Sequence, residues 1–129
     1  MATETAVATQ THTIVHYEIP AKNAAELVKF YSNVFGWKFS TMPGMDTYHV
    51  SQTGEDCAGV AVFEPDTAGV RPINYIGVES VKAHVAKLKE HGGTIMHEFI
   101  VSGMGRGAIG ADPDGNPVGL WQPDMDAKE

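Results

Sequence analysis

A chain of 129 residues, 43% hydrophobic and 19% charged, has the length of one ordinary domain and enough apolar residues for a single core, which excludes disordered and fibrous classes. Its formal net charge is −7, and Lys and Arg stand singly except at Lys82, Lys87 and Lys89, so no basic stripe is available for phosphates and nucleic acid is not an expected partner. No apolar run approaches the roughly 20 residues of a membrane span, MATETAVATQ has no secretion-signal pattern, and the lone Cys57 cannot form an intrachain disulfide, so a reducing cytoplasm is the expected compartment.

Residues 1–10 read as a flexible tail and 125–129 as a short C-terminal one, with a single domain over 11–124. HTIVHYEI alternates apolar and polar residues and predicts a strand over about His12–Ile19, stopped by Pro20. NAAELVKFYSNVFG places Ala24, Leu27, Val28, Tyr31, Val34 and Phe35 at helical spacing, with Asn23 as N-cap and Gly36 as the stop. Short strands follow at about Trp37–Thr41, Thr47–Ser51 and Gly59–Glu64, divided by the turn-formers of MPGMD and TGED. After the linker PDTAGVRP the order returns. A strand over Ile73–Val78 leads to a helix over Ser80–His91, a stop at Gly92-Gly93, and strands near Thr94–Ile100, Arg106–Ala111 and Val118–Gln122.

That return is an internal repeat. Ile19 matches Val78, Gly36 matches Gly93, the pairs Gly44/Gly103 and Met45/Met104 correspond, and VAVFEP matches VGLWQP, all at offsets of 57 to 59 residues. Two βαβββ modules follow, at about 12–65 and 73–123.

The runs HYEIPAKNAAELVKFYSNVFGW, NYIGVESVKAHVAKLKEHGGTI and GRGAIGADPDGNPVGLWQP resemble the vicinal oxygen chelate superfamily of glyoxalases, bleomycin-resistance proteins and extradiol dioxygenases, over nearly all of His12 to Pro123. The resemblance implies an α+β fold whose two modules form a curled mixed sheet, a cup that in many members holds a divalent metal and a small ligand, often in a homodimer. It identifies the fold well and the reaction poorly.

The resemblance also implies where a metal's ligands would stand: five residues before the end of each module's first strand, and on each module's last strand. Those positions are Ile14, Ile73, Ala61 and Gly119, none of which carries a donor atom. No cofactor is therefore expected. The alternative is a zinc, nickel, manganese or iron site reached through a shifted register, in which His16 is the first-strand ligand and would need His49, His97 or other donors to converge on it.

Strand alternation sends Val15, Tyr17 and Ile19 to the helix side and His12, Ile14, His16 and Glu18 to the cup. His16 and Glu18 share a face and form a candidate acid–base pair, against the plainer reading of a histidine hydrogen-bonded in a half-buried strand. Phe63, Tyr75 and Trp121 are candidate ligand-binding aromatics, or core fillers. The glycine-rich VSGMGRGAIG adds Met104 and Arg106 as candidates to cover a ligand and meet an anion; it lacks the strand–helix context of a dinucleotide fingerprint. His84 and His91 read as solvent-facing, and Cys57 as a structural thiol.

The expected function is binding of a small organic molecule in the sheet cup without the family's usual metal, as in sequestering or resistance-type members. The alternative is a glyoxalase-like enzyme, metal-dependent or using His16 and Glu18 as acid and base. A subunit with a vestigial cup is the third possibility. A homodimer is expected from the resemblance.

Overall fold

The computed structural model describes residues 12–53, 59–66 and 69–128. Cys57, and the expected tail over 1–10, lie outside the described residues. Among the described residues ten elements run in the order the repeat predicts: β1 (Ile14–Pro20), α1 (Ala24–Phe35), β2 (Ser40–Met42), β3 (Met45–Gln52), β4 (Gly59–Phe63), β5 (Ile73–Gly77), α2 (Val81–Glu90), β6 (Thr94–Val101), β7 (Gly105–Ala111) and β8 (Pro117–Pro123). The chain forms two compact units, His16–Ile73 and the residues from Asn74 onward together with those before His16. No helix among the described residues is long and apolar enough to cross a membrane.

In the first unit the strands lie in the order β2-β3-β4-β1, with β4 parallel to β1 and antiparallel to β3. α1 begins where the side chain of Asn23 accepts from the Glu26 amide at 3.0 Å, and ends at Gly36, whose φ of 75° closes the last turn on Ser32 O. Register places Val60 and Val62 beside Tyr17 and Ile19, on the face opposite His16 and Glu18. Val60, Val62 and Ala24 are buried, and so is Ala61 on the opposite face of β4. The last turn of α1 departs from its expected inward face. Val34 and Phe35 are 56% and 59% exposed, while Trp37 lies flat on Tyr31, centroids 5.5 Å apart and 6° from parallel. That stack ties Trp37 to the helix, and β2 starts at Ser40 rather than at Trp37.

In the second unit β5-β8-β7-β6 is the strand order, with β5 and β8 parallel and the rest antiparallel. Ser80 caps α2 through Oγ, which accepts from Ala83 N at 3.0 Å, and one helix face buries Val81 and Val85 against Val78, Ala108 and Leu120. The turn joining β7 to β8 is built on Asp112, whose carboxylate accepts from the amides of Asp114 and Asn116 and from the Asn116 side chain. Those bonds, led by the Asn116 amide, hold the Asp112 carboxyl below its ordinary range. The chain turns back after Pro123: Asp124 N donates to Met104 O, and within the expected tail over 125–129 Ala127 is buried and its carbonyl accepts from Gly103 N.

The repeated endings VAVFEP and VGLWQP now have a physical cause. Ala21 N donates to Phe63 O in the first unit, and Val78 N donates to Trp121 O in the second. One residue on, Glu64 Oε2 accepts from Ala24 N at 2.8 Å and Gln122 Oε1 accepts from Val81 N at 2.9 Å. Each module's last strand thus satisfies a first-turn amide of its own helix, a group with no partner inside the helix.

Candidate functional site

The first unit gathers its polar groups on one sheet face. Parallel pairing sets His16 beside Gly59 and Glu18 beside Ala61, while antiparallel pairing sets Tyr48 beside Phe63. Because Gly59 has no side chain and Ala61 only a methyl, the space above β4 lets Tyr48 reach across to β1. Its hydroxyl donates to Glu18 Oε2 at 2.7 Å and lies 2.9 Å from His16 Nε2. A phenol has one proton, here given to the carboxylate, so the imidazole donates from Nε2 and the tautomer follows from the network. His16 and Glu18 are 3.9 Å apart with side chains 27% and 12% exposed. Burial pushes the His16 pKa below its ordinary value, against the opposing pull of the Glu18 charge. Phe63 flanks the group, its ring 6.2 Å from that of Tyr48.

The structure therefore joins His16, Glu18 and Phe63, and adds Tyr48, which sequence reasoning missed. Tyr48 stood on an expected strand with no neighbour assigned. The signal was the β3–β4 register, which follows only when the strand order is known.

The other four expected ligand residues stand in the second unit. Tyr75 is buried, 4% exposed, and lies on Gly119, where an added Cβ would come within 2.5 Å of its ring. Trp121 is half-buried beside Phe99 at 6.4 Å, and His97 stacks on Phe99 at 5.7 Å. These rings rest on glycines: an added Cβ at Gly107 would meet Phe99 at 2.3 Å, and one at Gly105 would meet Trp121 at 2.5 Å. Met104 is exposed in the β6–β7 turn. Arg106 pairs in register with Gln122, on the sheet face opposite Trp121 and Gly107, and its Nε lies 3.6 Å from Asp124. It borders a depression of about 790 Å³ near the start of α2, together with Lys82, Glu98 and Phe99.

The family's metal does not fit the residues present. Ile14, Ala61, Ile73 and Gly119 offer no donor; Ala61 is fully buried, and the Tyr75 ring fills the space a longer side chain at Gly119 would need. Among the described residues no three His, Cys, Asp or Glu side chains converge. His16, the fallback ligand, is engaged with Tyr48, and His49 sits beside Val62 on the other face.

Comparison with known proteins places this geometry in context. The sequence pattern of the Glyoxalase/Bleomycin resistance protein/Dioxygenase superfamily matches residues 13–120. A protein of Mycobacterium tuberculosis (strain CDC 1551 / Oshkosh) described as putative glyoxylase CFP32 is 37% identical over 102 residues, covering 73% of this chain and 39% of the relative. The anthracycline biosynthesis protein DnrV of Streptomyces peucetius is 27% identical over 124 residues, 82% of this chain and 45% of the relative. The chain thus spans well under two thirds of these relatives' length. Among solved structures, the methylmalonyl-CoA epimerase of Streptomyces coelicolor in complex with 2-nitronate-propionyl-CoA superposes with a TM-score of 0.65 at 12% identity, over 92% of this chain and 99% of that one.

Proposed function

The chain belongs to the Glyoxalase/Bleomycin resistance protein/Dioxygenase superfamily, and from that premise we propose that it binds a small, partly planar organic molecule without the superfamily's usual metal. The observation that carries the reading is the His16–Tyr48–Glu18 network, half-buried on a sheet face beside Phe63. A buried-side carboxylate, phenol and imidazole in series present both donor and acceptor character, which suits a ligand hydroxyl or carbonyl, while the Phe63 ring supplies flat apolar surface. The donor-free residues Ile14, Ala61, Ile73 and Gly119 support a site that works through hydrogen bonds and stacking instead of a Lewis acid. The likeness to an anthracycline biosynthesis protein supports a fused-ring aromatic ligand class. Sequestering is the resulting role, in the cytoplasm and as a homodimer.

The network also favours a second reading, acid–base catalysis. Tyr48 ties His16 to Glu18, so a proton taken up by the imidazole is stabilised through the phenol by the carboxylate. The two readings separate on bond-making.

The test is a screen of planar phenols and quinones by ligand-detected NMR, followed by titration of Tyr48→Phe and His16→Asn. Loss of tenfold or more in affinity in both variants, with the ligand recovered unchanged, is the expected result. Affinity unaltered in both would remove this face as the site. Ligand converted by the wild type and not by His16→Asn would move the protein to the catalytic reading.

A further inference from the structure

We propose that His12 and His84 form a surface site for an imidazole-preferring divalent metal ion, zinc, nickel or copper, that clips the start of β1 to α2. Their Nε2 atoms are 3.2 Å apart and their rings meet edge-on, centroids 5.2 Å apart at 69°. Two imidazole nitrogens on one metal at about 2.0–2.1 Å are separated by roughly 2.9 Å at a right angle and roughly 3.4 Å at a tetrahedral one. The observed spacing, that of an N–H···N hydrogen bond, falls between these, so an ion that displaces the proton held between the rings would meet both nitrogens at bonding separation.

The tautomer of His84 points the same way. Its Nδ1 lies 3.1 Å from the carbonyl oxygen of Ser80, which can only accept, so Nδ1 carries the proton and the lone pair sits on Nε2, facing His12. A backbone carbonyl fixing the remote nitrogen of a histidine is the usual outer support of a metal-binding imidazole. Ser80 is also the N-cap of α2, one turn before His84, which makes that support part of a rigid element.

His12 brings an independent sign. Its φ is 64°, the one left-handed residue other than glycine among those described, and a β-carbon in that region is strained. The strain persists where the surroundings overdetermine it. Here its amide donates to Gly77 O and Gly77 N donates to Thr13 O, so β5 fixes the backbone while the left-handed turn delivers the ring to His84. The expectation that His84 faces solvent thus gives way to a half-buried ring held on both nitrogens, whereas His91 is exposed as expected.

The pair lies in the unit from Asn74 onward and shares no residue with the His16 network, so it stands whether or not the ligand reading does. With two protein donors the remaining coordination positions go to water, and imidazole softness selects zinc, nickel or copper over magnesium and calcium.

The experiment is titration of the full, untagged chain with Ni²⁺ and Zn²⁺ by calorimetry, with Cu²⁺ electron paramagnetic resonance to count bound nitrogens. One ion per chain, a two-nitrogen copper signal, and a melting temperature rising with metal concentration are expected. His12→Asn, which keeps a residue tolerant of positive φ, and His84→Gln should each weaken binding tenfold or more. His16→Asn should leave it intact. No binding by the wild type, or binding that survives both His12→Asn and His84→Gln, overturns the assignment; binding lost only in His16→Asn would instead place a metal in the ligand site.

Discussion

His16 is a base kept in a half-buried strand by a phenol, and its protonation is coupled to folding. Because burial holds its folded pKa below the ordinary value of 6.5, the folded protein binds fewer protons than the unfolded chain in that range. The sign follows: this contribution is complete above about pH 6.5 and is lost as pH falls through the folded value, so acid destabilises. Melting temperatures measured from pH 7.5 to pH 5 should fall more steeply for the wild type than for His16→Asn, which cannot titrate. Parallel curves would mean that His16 protonates in the folded state as readily as in the unfolded one. Its pairing with Glu18 was legible as i, i+2 alternation on a strand. Tyr48 was not, because a side chain from two strands away enters the account only through pairing register, which no local pattern encodes.

At the scale of elements, the sequence was most informative where the chemistry is local. Asn23 and Gly36 predicted caps that the backbone adopts, since each cap is decided by one residue and its near neighbours, whereas Ser80, expected as the first residue of its helix, caps it instead. The repeat predicted the module order for the same reason, each copy carrying its own turns and caps. The end of α1 was less legible: Val34 and Phe35 satisfy helical spacing as core residues do, and only the Tyr31–Trp37 stack decides that the chain after the helix folds back on it. The bonds from Glu64 and Gln122 to the helix starts join strand ends to helices 41 residues away or nearly so, a contact the paired sequences marked without explaining. Gln122→Ala leaves the Val81 amide without its partner and should cost about 1 kcal/mol. Urea unfolding should show a lower midpoint with an unchanged slope, and Gln122→Glu, which restores the acceptor found in the first module, should recover it. An unaltered midpoint in Gln122→Ala would mean water replaces the bond at no cost.

For the molecule as a whole, the question is what covers α1. Phe30, Val34 and Phe35 are 52%, 56% and 59% exposed and close in helical spacing, a concentration of large apolar groups that solvent-facing helix surfaces seldom carry. In the homodimer proposed above, a second copy covers them; the relatives that are more than twice this chain's matched length have room to supply the cover within one chain. Each such side chain, already nearly half buried within its own chain, gains roughly half of the 1.5–3 kcal/mol of a full burial when a second copy covers it, and a symmetric interface buries every one of them twice. Phe30→Lys with Val34→Lys should therefore weaken association by more than a hundredfold. Light scattering on the eluting protein at tens of micromolar should report a dimer for the wild type and a monomer for the double variant. Because both side chains are more than half exposed, the variant should keep its circular dichroism and its His16-dependent ligand binding, and a dimer that persists in it would move the interface away from α1.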